Sequence, residues 1–163
     1  MPPQVRQAQH PDIAVLVELM AEFYGEAGFP LPTRSATHAF EVLLADPRLG
    51  CVLMVNAGDA DVGYLVLTFG YSMEYGGLRA FVDDFYVRTS SRGKGLGAVL
   101  LRAARVRCIE VGVRALLVET GLEGHPARRL YLREGFADSG RSLLTQGLAA
   151  PLHDDNPTSV QSP

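Results

Sequence analysis

The run Phe81-Val82-Asp83-Asp84-Phe85-Tyr86-Val87 leads through Arg88-Thr89-Ser90-Ser91 into Arg92-Gly93-Lys94-Gly95-Leu96-Gly97. Its aromatic and branched residues around two adjacent carboxylates read as a strand. Beyond the glycines, Leu96, Val99, Leu100, Ala103, Val106 and Ile109 recur at helical spacing, and Gly112 is the stop. Strand, glycine loop and helix in this order make an anion cradle. Glycines allow sharp turns and close backbone approach. The helix start offers unpaired N–H groups at a positive dipole end. Arg92 and Lys94, the chain's only lysine, add charge at the rim.

Upstream, Ile13, Leu16, Val17, Met20 and Phe23 mark an amphipathic helix that opens at Asp12 and ends at Gly25 and Gly28. Thr33 or Ser35 is expected to cap a second helix that runs to Leu44, before Asp46-Pro47. Cys51–Val55 and Val62–Phe69, joined by Asn56-Ala-Gly-Asp-Ala-Asp61, read as an antiparallel hairpin. A loop, Tyr71–Gly77, leads to a third strand over Leu78–Val87. Downstream, Ala115–Val118 is a buried-type strand, Pro126–Glu134 a short helix stopped by Gly135, and Arg141–Leu148 a last strand. The step from residue 80 to 118 is a strand–helix–strand crossover, which implies parallel pairing there. The fold class is therefore α/β: one domain over 1–148, with a mixed, mostly antiparallel twisted sheet and helices on both faces. Residues 149–163 are polar and Pro-rich and read as a frayed tail.

Composition agrees with one globular domain. The chain has 163 residues, 47% apolar and 20% charged, which supports a core and excludes wholesale disorder. A net charge of −3 argues against a general nucleic-acid binder. Cys51 and Cys108 are too few and too far apart for a disulfide scaffold or a cysteine-rich zinc site, and they read as reduced core thiols of a cytoplasmic protein. No apolar run reaches the ~20 residues of a membrane span, and Asp12 and Glu18 interrupt the N-terminal apolar stretch.

Several phosphate ligands fit a glycine loop. Lys94 is followed by Gly95 where the Walker A pattern needs Ser or Thr. Gly93-x-Gly95-x-x-Ala98 fits the dinucleotide fingerprint, and Glu119 stands near the expected ribose acid. Against that ligand, five residues separate Val87 from the first glycine, only 44 follow Glu119, and a meander precedes the motif.

Two motifs together carry a resemblance. Arg92-Gly-Lys-Gly95-Leu-Gly97 matches Q/R-x-x-G-x-G/A, and Ala127-Arg-Arg-Leu130-Tyr131-Leu-Arg-Glu-Gly135-Phe136 matches A-x-x-L-Y-x-x-x-G-F. In this order and spacing they resemble the GNAT superfamily of acyl-CoA-dependent N-acyltransferases, over roughly residues 4–148. The resemblance implies a short first strand near Gln4-Val5-Arg6 and acetyl-CoA as cosubstrate. Its pyrophosphate would lie on Arg92, Gly93, Lys94, Gly95, Leu96, Gly97 and Ala98, and its acyl arm along Phe85, Tyr86 and Val87. Val82-Asp-Asp-Phe-Tyr-Val is similar to the diamine and polyamine branch, which has Glu-Asp before the aromatic pair. That likeness puts the base on Asp83 and the second acid on Asp84. The second motif often begins with an asparagine where this chain has Gly124; His125 stands beside it.

Acylation of an amine needs a proton acceptor, N–H donors for the oxyanion and a proton for the departing thiolate. Tyr131 is the candidate acid, since a phenol near pKa ~10 protonates a thiolate of about 8.5 against only a small gradient. Adjacent strand residues face opposite sides, so one of Asp83 and Asp84 is expected to enter a covered region where its pKa rises. Glu74, Tyr75 and Glu119 are candidate acceptor contacts, and the acids together would ring the acceptor with negative charge. The expected reaction is direct transfer of acetyl to a small cationic amine, with no metal and no covalent enzyme intermediate. A protein or aminoglycoside amine, or a non-catalytic CoA-binding module, are the alternatives. The family resemblance admits a homodimer, since sheet-edge dimers are common there, but the residues themselves do not fix the oligomer; no nucleic-acid or membrane partner is expected.

Overall fold

A computed structural model describes residues 2–121 and 125–148. The elements run β1 (Val5–Gln7), a 3-10 turn (His10–Asp12), α1 (Ile13–Glu26), α2 (Thr33–Ala45), β2 (Gly50–Ala57), β3 (Ala60–Ser72) and β4 (Gly77–Val87). A second 3-10 turn (Thr89–Ser91), α3 (Leu96–Glu110), β5 (Ala115–Val118) and α4 (Pro126–Arg133) follow. The five strands lie in chain order, antiparallel from β1 to β4 and parallel between β4 and β5. This is the expected α/β mixed sheet, and β1 lies where the family resemblance put it.

Strand alternation sends two sets of side chains to two cores. Leu53, Val55, Leu65, Leu67, Ala80 and Val82 pack under α3 and α4. Val52, Met54, Tyr64, Val66 and Tyr86 pack under α1 and α2 with Leu16, Leu19 and Phe40. α1 and α2 cover β2, β3 and part of β4, and no residue of β5 enters their core. One half of that sheet face therefore stays open. Both cysteines are buried and unpaired.

Three expectations change. On α3, Val106 and Ile109 are exposed, and the buried face is Leu96, Leu100, Leu101, Ala104 and Cys108. Thr33 does not cap α2 but is its first residue: Pro32 holds the extended cap position, with no side-chain cap bond, and Thr37 Oγ1 donates back to the Thr33 carbonyl at 2.8 Å. Arg141–Leu148 forms no strand. Leu143 and Leu144 are neighbours, so no pleat buries both. Leu144 is 92% and Leu148 91% exposed, and in the described structure β5 pairs only with β4. The tail from 149 lies outside the described residues, as does Gly124.

Candidate active site

The β4–β5 ladder runs only from Arg79↔Ala115 to Val82↔Val118. β3 and β4 stay paired beyond that point, but their register shifts, with Val66 opposite Asp84 and Leu67 opposite Val82. Asp83 is the extra residue of a β-bulge. Sheet and bulge thus break at one place, and backbone groups of residues 83–87 face the gap where β5 would otherwise pair.

The bulge overturns the simple expectation that the two acids face opposite sides. The Asp84 carboxylate accepts hydrogen bonds from Tyr64 Oη at 3.2 Å and Tyr24 Oη at 3.4 Å, under α1. Burial and then the charge of Asp84 push the Tyr24 phenol well above its ordinary range, and the charge of Asp83 adds to this. Val82 points into the α3–α4 core and Asp84 to α1, so the extra residue between them, Asp83, turns away from Val82 toward the α1 side as well. Asp83 keeps one side open to solvent, yet burial by its surroundings raises its carboxyl above the ordinary 3.8. Sequence reasoning missed Tyr24 and Tyr64, because they come from α1 and β3, 60 and 20 residues away from Asp84.

On the other face, α4 begins at Pro126, with His125 Nδ1 accepting from Ala127 N at 3.3 Å, so His125 is a helix cap. One turn on, Tyr131 is 7% exposed, its ring 6.1 Å from Phe85 and 5.5 Å from Phe136. Phe85 follows the bulge, so the phenol lies beneath the parting strands. Burial pushes it up to about 12. That makes proton delivery to a thiolate of about 8.5 steeper than the free phenol promises. Tyr131 stays protonated at any working pH, as a hydrogen-bond donor.

The glycine loop divides its labour. Gly93 and Gly95 have φ of 76° and 79°, a left-handed region that favours glycine, and a Cβ on either would meet only open space. Gly95 is the N-cap of α3 and brings no side chain to its first N–H groups, which leaves those of Leu96, Gly97 and Ala98 for an anion. Gly97 serves packing: a Cβ there would come 3.0 Å from Leu130 and 3.2 Å from Phe85. An open, uncapped helix start with open space at both turn glycines fits the pyrophosphate of a coenzyme.

Arg92 and Tyr86 do not send their side chains to that cradle. Arg92 bonds the Val87 carbonyl at 2.8 Å and Glu26 at 2.6 Å, with its guanidinium 5.4 Å from the centre of the Tyr86 ring. Tyr86 Oη donates to Glu26 at 2.7 Å. Glu26 is held down at about 2, chiefly by the Tyr86 and Arg92 hydrogen bonds. Arg88 joins Glu22 at 2.8 Å and also Glu18, so α1 is bolted to the loop that carries the cradle. An open hollow of about 530 Å³ beside these residues is lined by groups already paired with one another. Lys94 reaches the Ser90 carbonyl at 3.2 Å and stays exposed.

Of the expected acceptor contacts, Glu119 is exposed one residue past β5. Glu74 and Tyr75 line a separate hollow of about 350 Å³, where Glu74 is neutralised by Arg141 at 2.7 Å. The ring of negative charge is therefore incomplete. Among the described residues, no group of three or more His, Cys, Asp or Glu is placed to hold a metal, and no helix is long and apolar enough to cross a membrane.

Residues 14–136 match the Acetyltransferase (GNAT) family. An integron cassette protein, HFX_CASS3, from the mobile metagenome of Cole Harbour Salt Marsh is 54% identical with a TM-score of 0.85, over 91% of this chain and 93% of that one. Streptothricin acetyltransferase of Streptomyces lavendulae is 40% identical over 73 residues, which are 44% of this chain and only 39% of that relative. AAC(6')-Iy in complex with the bisubstrate analogue CoA-S-monomethyl-acetylneamine has a TM-score of 0.78 at 15% identity, over 91% of this chain and 100% of that one, a likeness of fold.

Proposed function

The chain belongs to the GNAT acetyltransferase family, and from that premise we propose that it transfers acetyl from acetyl-CoA directly to a primary amine. The observation that carries this reading is the bulge at Asp83, where β4 and β5 part with Asp83 and Asp84 on one face and Tyr131 beneath the other. Acetyl-CoA supplies the activated acyl group. Leu96, Gly97 and Ala98 offer N–H groups to its pyrophosphate, and the strand edge over Phe85, Tyr86 and Val87 offers backbone groups to its arm.

Asp83 is the base in this reading. An amine of pKa ~10 arrives almost wholly as ammonium at neutral pH. A carboxylate draws that ion in and then takes its proton, directly or through one water. Raised by burial, Asp83 is a stronger base than a free aspartate. Asp84, held by Tyr64 and Tyr24, is a positioning residue that fixes the bulge and adds charge. Tyr131 steadies the departing thiolate by donating a hydrogen bond.

The acceptor is a cationic amine. A diamine or polyamine, the class that the Asp83-Asp84 motif resembles, fits where its second charge stays near Glu119 and the acids. An amine of the streptothricin kind is the second candidate, suggested by the match to streptothricin acetyltransferase. An amine panel with acetyl-CoA tests the reading, with thiol release and product mass as readouts. Turnover of cationic amines is expected. CoA binding without acetylation of any amine would instead leave a CoA-holding module.

A further inference from the structure

The acceptor face of the sheet changes sign along β4. Ala80 and Val82 point into the α3–α4 core, so Arg79 and Phe81 face the other way, in one row with Asp84 beyond the bulge. On β5, Leu116 and Val118 join the same core, which leaves Leu117 and then Glu119 beside that row. The result is a trough left open by α1 and α2. Its inner end is acidic, with Asp83, Asp84 and Glu119. Its outer end is the hollow of about 350 Å³ lined by Tyr71, Ser72, Tyr75, Arg79, Leu117 and Arg141, among others.

Charge at the outer end is positive. Arg141 is spent on Glu74 at 2.7 Å and lowers its pKa. The Arg79 guanidinium forms no hydrogen bond or ion pair with any described residue, and its side chain lies across Gly70, its partner on β3. The exposed rings of Tyr71 and Tyr75 stand in the same wall. A guanidinium with no partner, in a concave site with aromatic walls, takes a carboxylate in its fork. From Arg79 to Asp83 the strand rises about 13 Å, at roughly 3.3 Å per residue.

We propose that this hollow is a second acceptor subsite, which binds an anionic group, a carboxylate, carried about 13 Å from the amine to be acetylated. It rests on the reading of Asp83 and Asp84 as the amine end, and narrows that reading to a bipolar acceptor. A long polyamine would place a second ammonium against Arg79, so the outer end also excludes such chains.

Tetra-alanine and its C-terminal amide share the amine and span about 13 Å when extended, and they differ only in the anion. Their binding to the protein with CoA present is measured by calorimetry, and their acetylation by thiol release. The acid is expected to bind about tenfold tighter than the amide, the equivalent of about 1.4 kcal/mol, with the difference in KM and not in kcat. Arg79→Gln should erase the preference while leaving the amide unchanged, and Arg79→Lys should restore part of it. Equal binding of acid and amide, or a preference that survives Arg79→Gln, overturns the subsite even if both are acetylated. A preference lost in Arg79→Gln, with no amine acetylated at all, would keep the subsite and sink the transfer reading.

Discussion

The pairing of β2 with β3 and that of β4 with β5 solve opposite problems. The first runs through eight partners, from Gly50↔Thr68 to Ala57↔Ala60, with one shift past Val55 beside the turn, and its central residues are buried under helices on both faces. The second stops after four, at Val82↔Val118, and among the described residues β4 has no strand on that side from Asp83 on, with only the Val87 carbonyl taken, by Arg92. Where a ladder runs on through the sheet centre, its paired backbone groups have nothing left for a ligand. A ladder that stops leaves donors, acceptors and a carboxylate of raised pKa at one place. The cost of that break is offset by Leu96, Leu100, Leu101 and Tyr131, which pack against the same strands.

The sharpest way to separate the halves is to damage the complete one. Leu53, 5% exposed on β2, lies two strands from β4 in the core under α3 and α4, in register with Leu65 and Phe85. Leu53→Ala should cost about 3 kcal/mol of stability, from lost transfer and a residual cavity. Urea denaturation measures the loss, and turnover per folded molecule should stay at the wild-type value. A selective loss of turnover would mean that the two halves are coupled.

The reverse change is Asp83→Asn. It should lower kcat/KM about 10²-fold at neutral pH, a usual size for a general base, and partly recover as rising pH supplies neutral amine. Tyr131→Phe should lower kcat by a similar factor at every pH. The sign of the stability change differs from the usual carboxylate. Burial raises Asp83 in the folded state, so its favourable contribution lies at low pH and is lost as pH rises past the ordinary 3.8 through the raised value. Asp83→Asn should therefore be no less stable than wild type at pH 7. Parallel pH–rate profiles for variant and wild type would remove Asp83 from the chemistry.

A smaller effect tests the cradle. Gly95→Glu forces a side chain onto φ of 79° and sets a negative charge at the start of α3. Affinity for acetyl-CoA should fall at least tenfold, about 1.4 kcal/mol, by calorimetry. Unchanged affinity in a folded variant would move the pyrophosphate elsewhere.

The smallest effect concerns the bolt between α1 and the cradle loop. Glu26 is lowered from 4.5 to about 2, so its contribution is present above 4.5 and fades as pH falls toward 2. Its side chain is 39% and that of Arg92 48% exposed, and solvent screening holds the pair to under about 1 kcal/mol. Glu26→Gln should lower Tm slightly at pH 7 and not at pH 2. An equal loss at both would mean that Glu26 acts by shape and not by charge.

What short spacing encodes was legible in the residues alone. The apolar stripe of α1, the hairpin turn at Gly58, the glycine loop and the Leu130-Tyr131 motif each lie within a few residues, and each folded as read. The stripe of α3 did so only in part, since Val106 and Ile109 are exposed while Leu101, Ala104 and Cys108 are buried beside Leu96 and Leu100. Periodicity is a local property, because one turn or one pleat already fixes which side a residue faces. Tertiary structure alone decided the rest. The bulge at Asp83 depends on how β3 registers against β4, which no pattern inside β4 reveals, and it put both acids on the side of Tyr24. The neutralisation of Glu74 by Arg141, 67 residues away, broke the expected acidic ring. The strand expected over 141–148 failed for the same reason, since a strand needs a partner edge and the chain's own pattern cannot supply one.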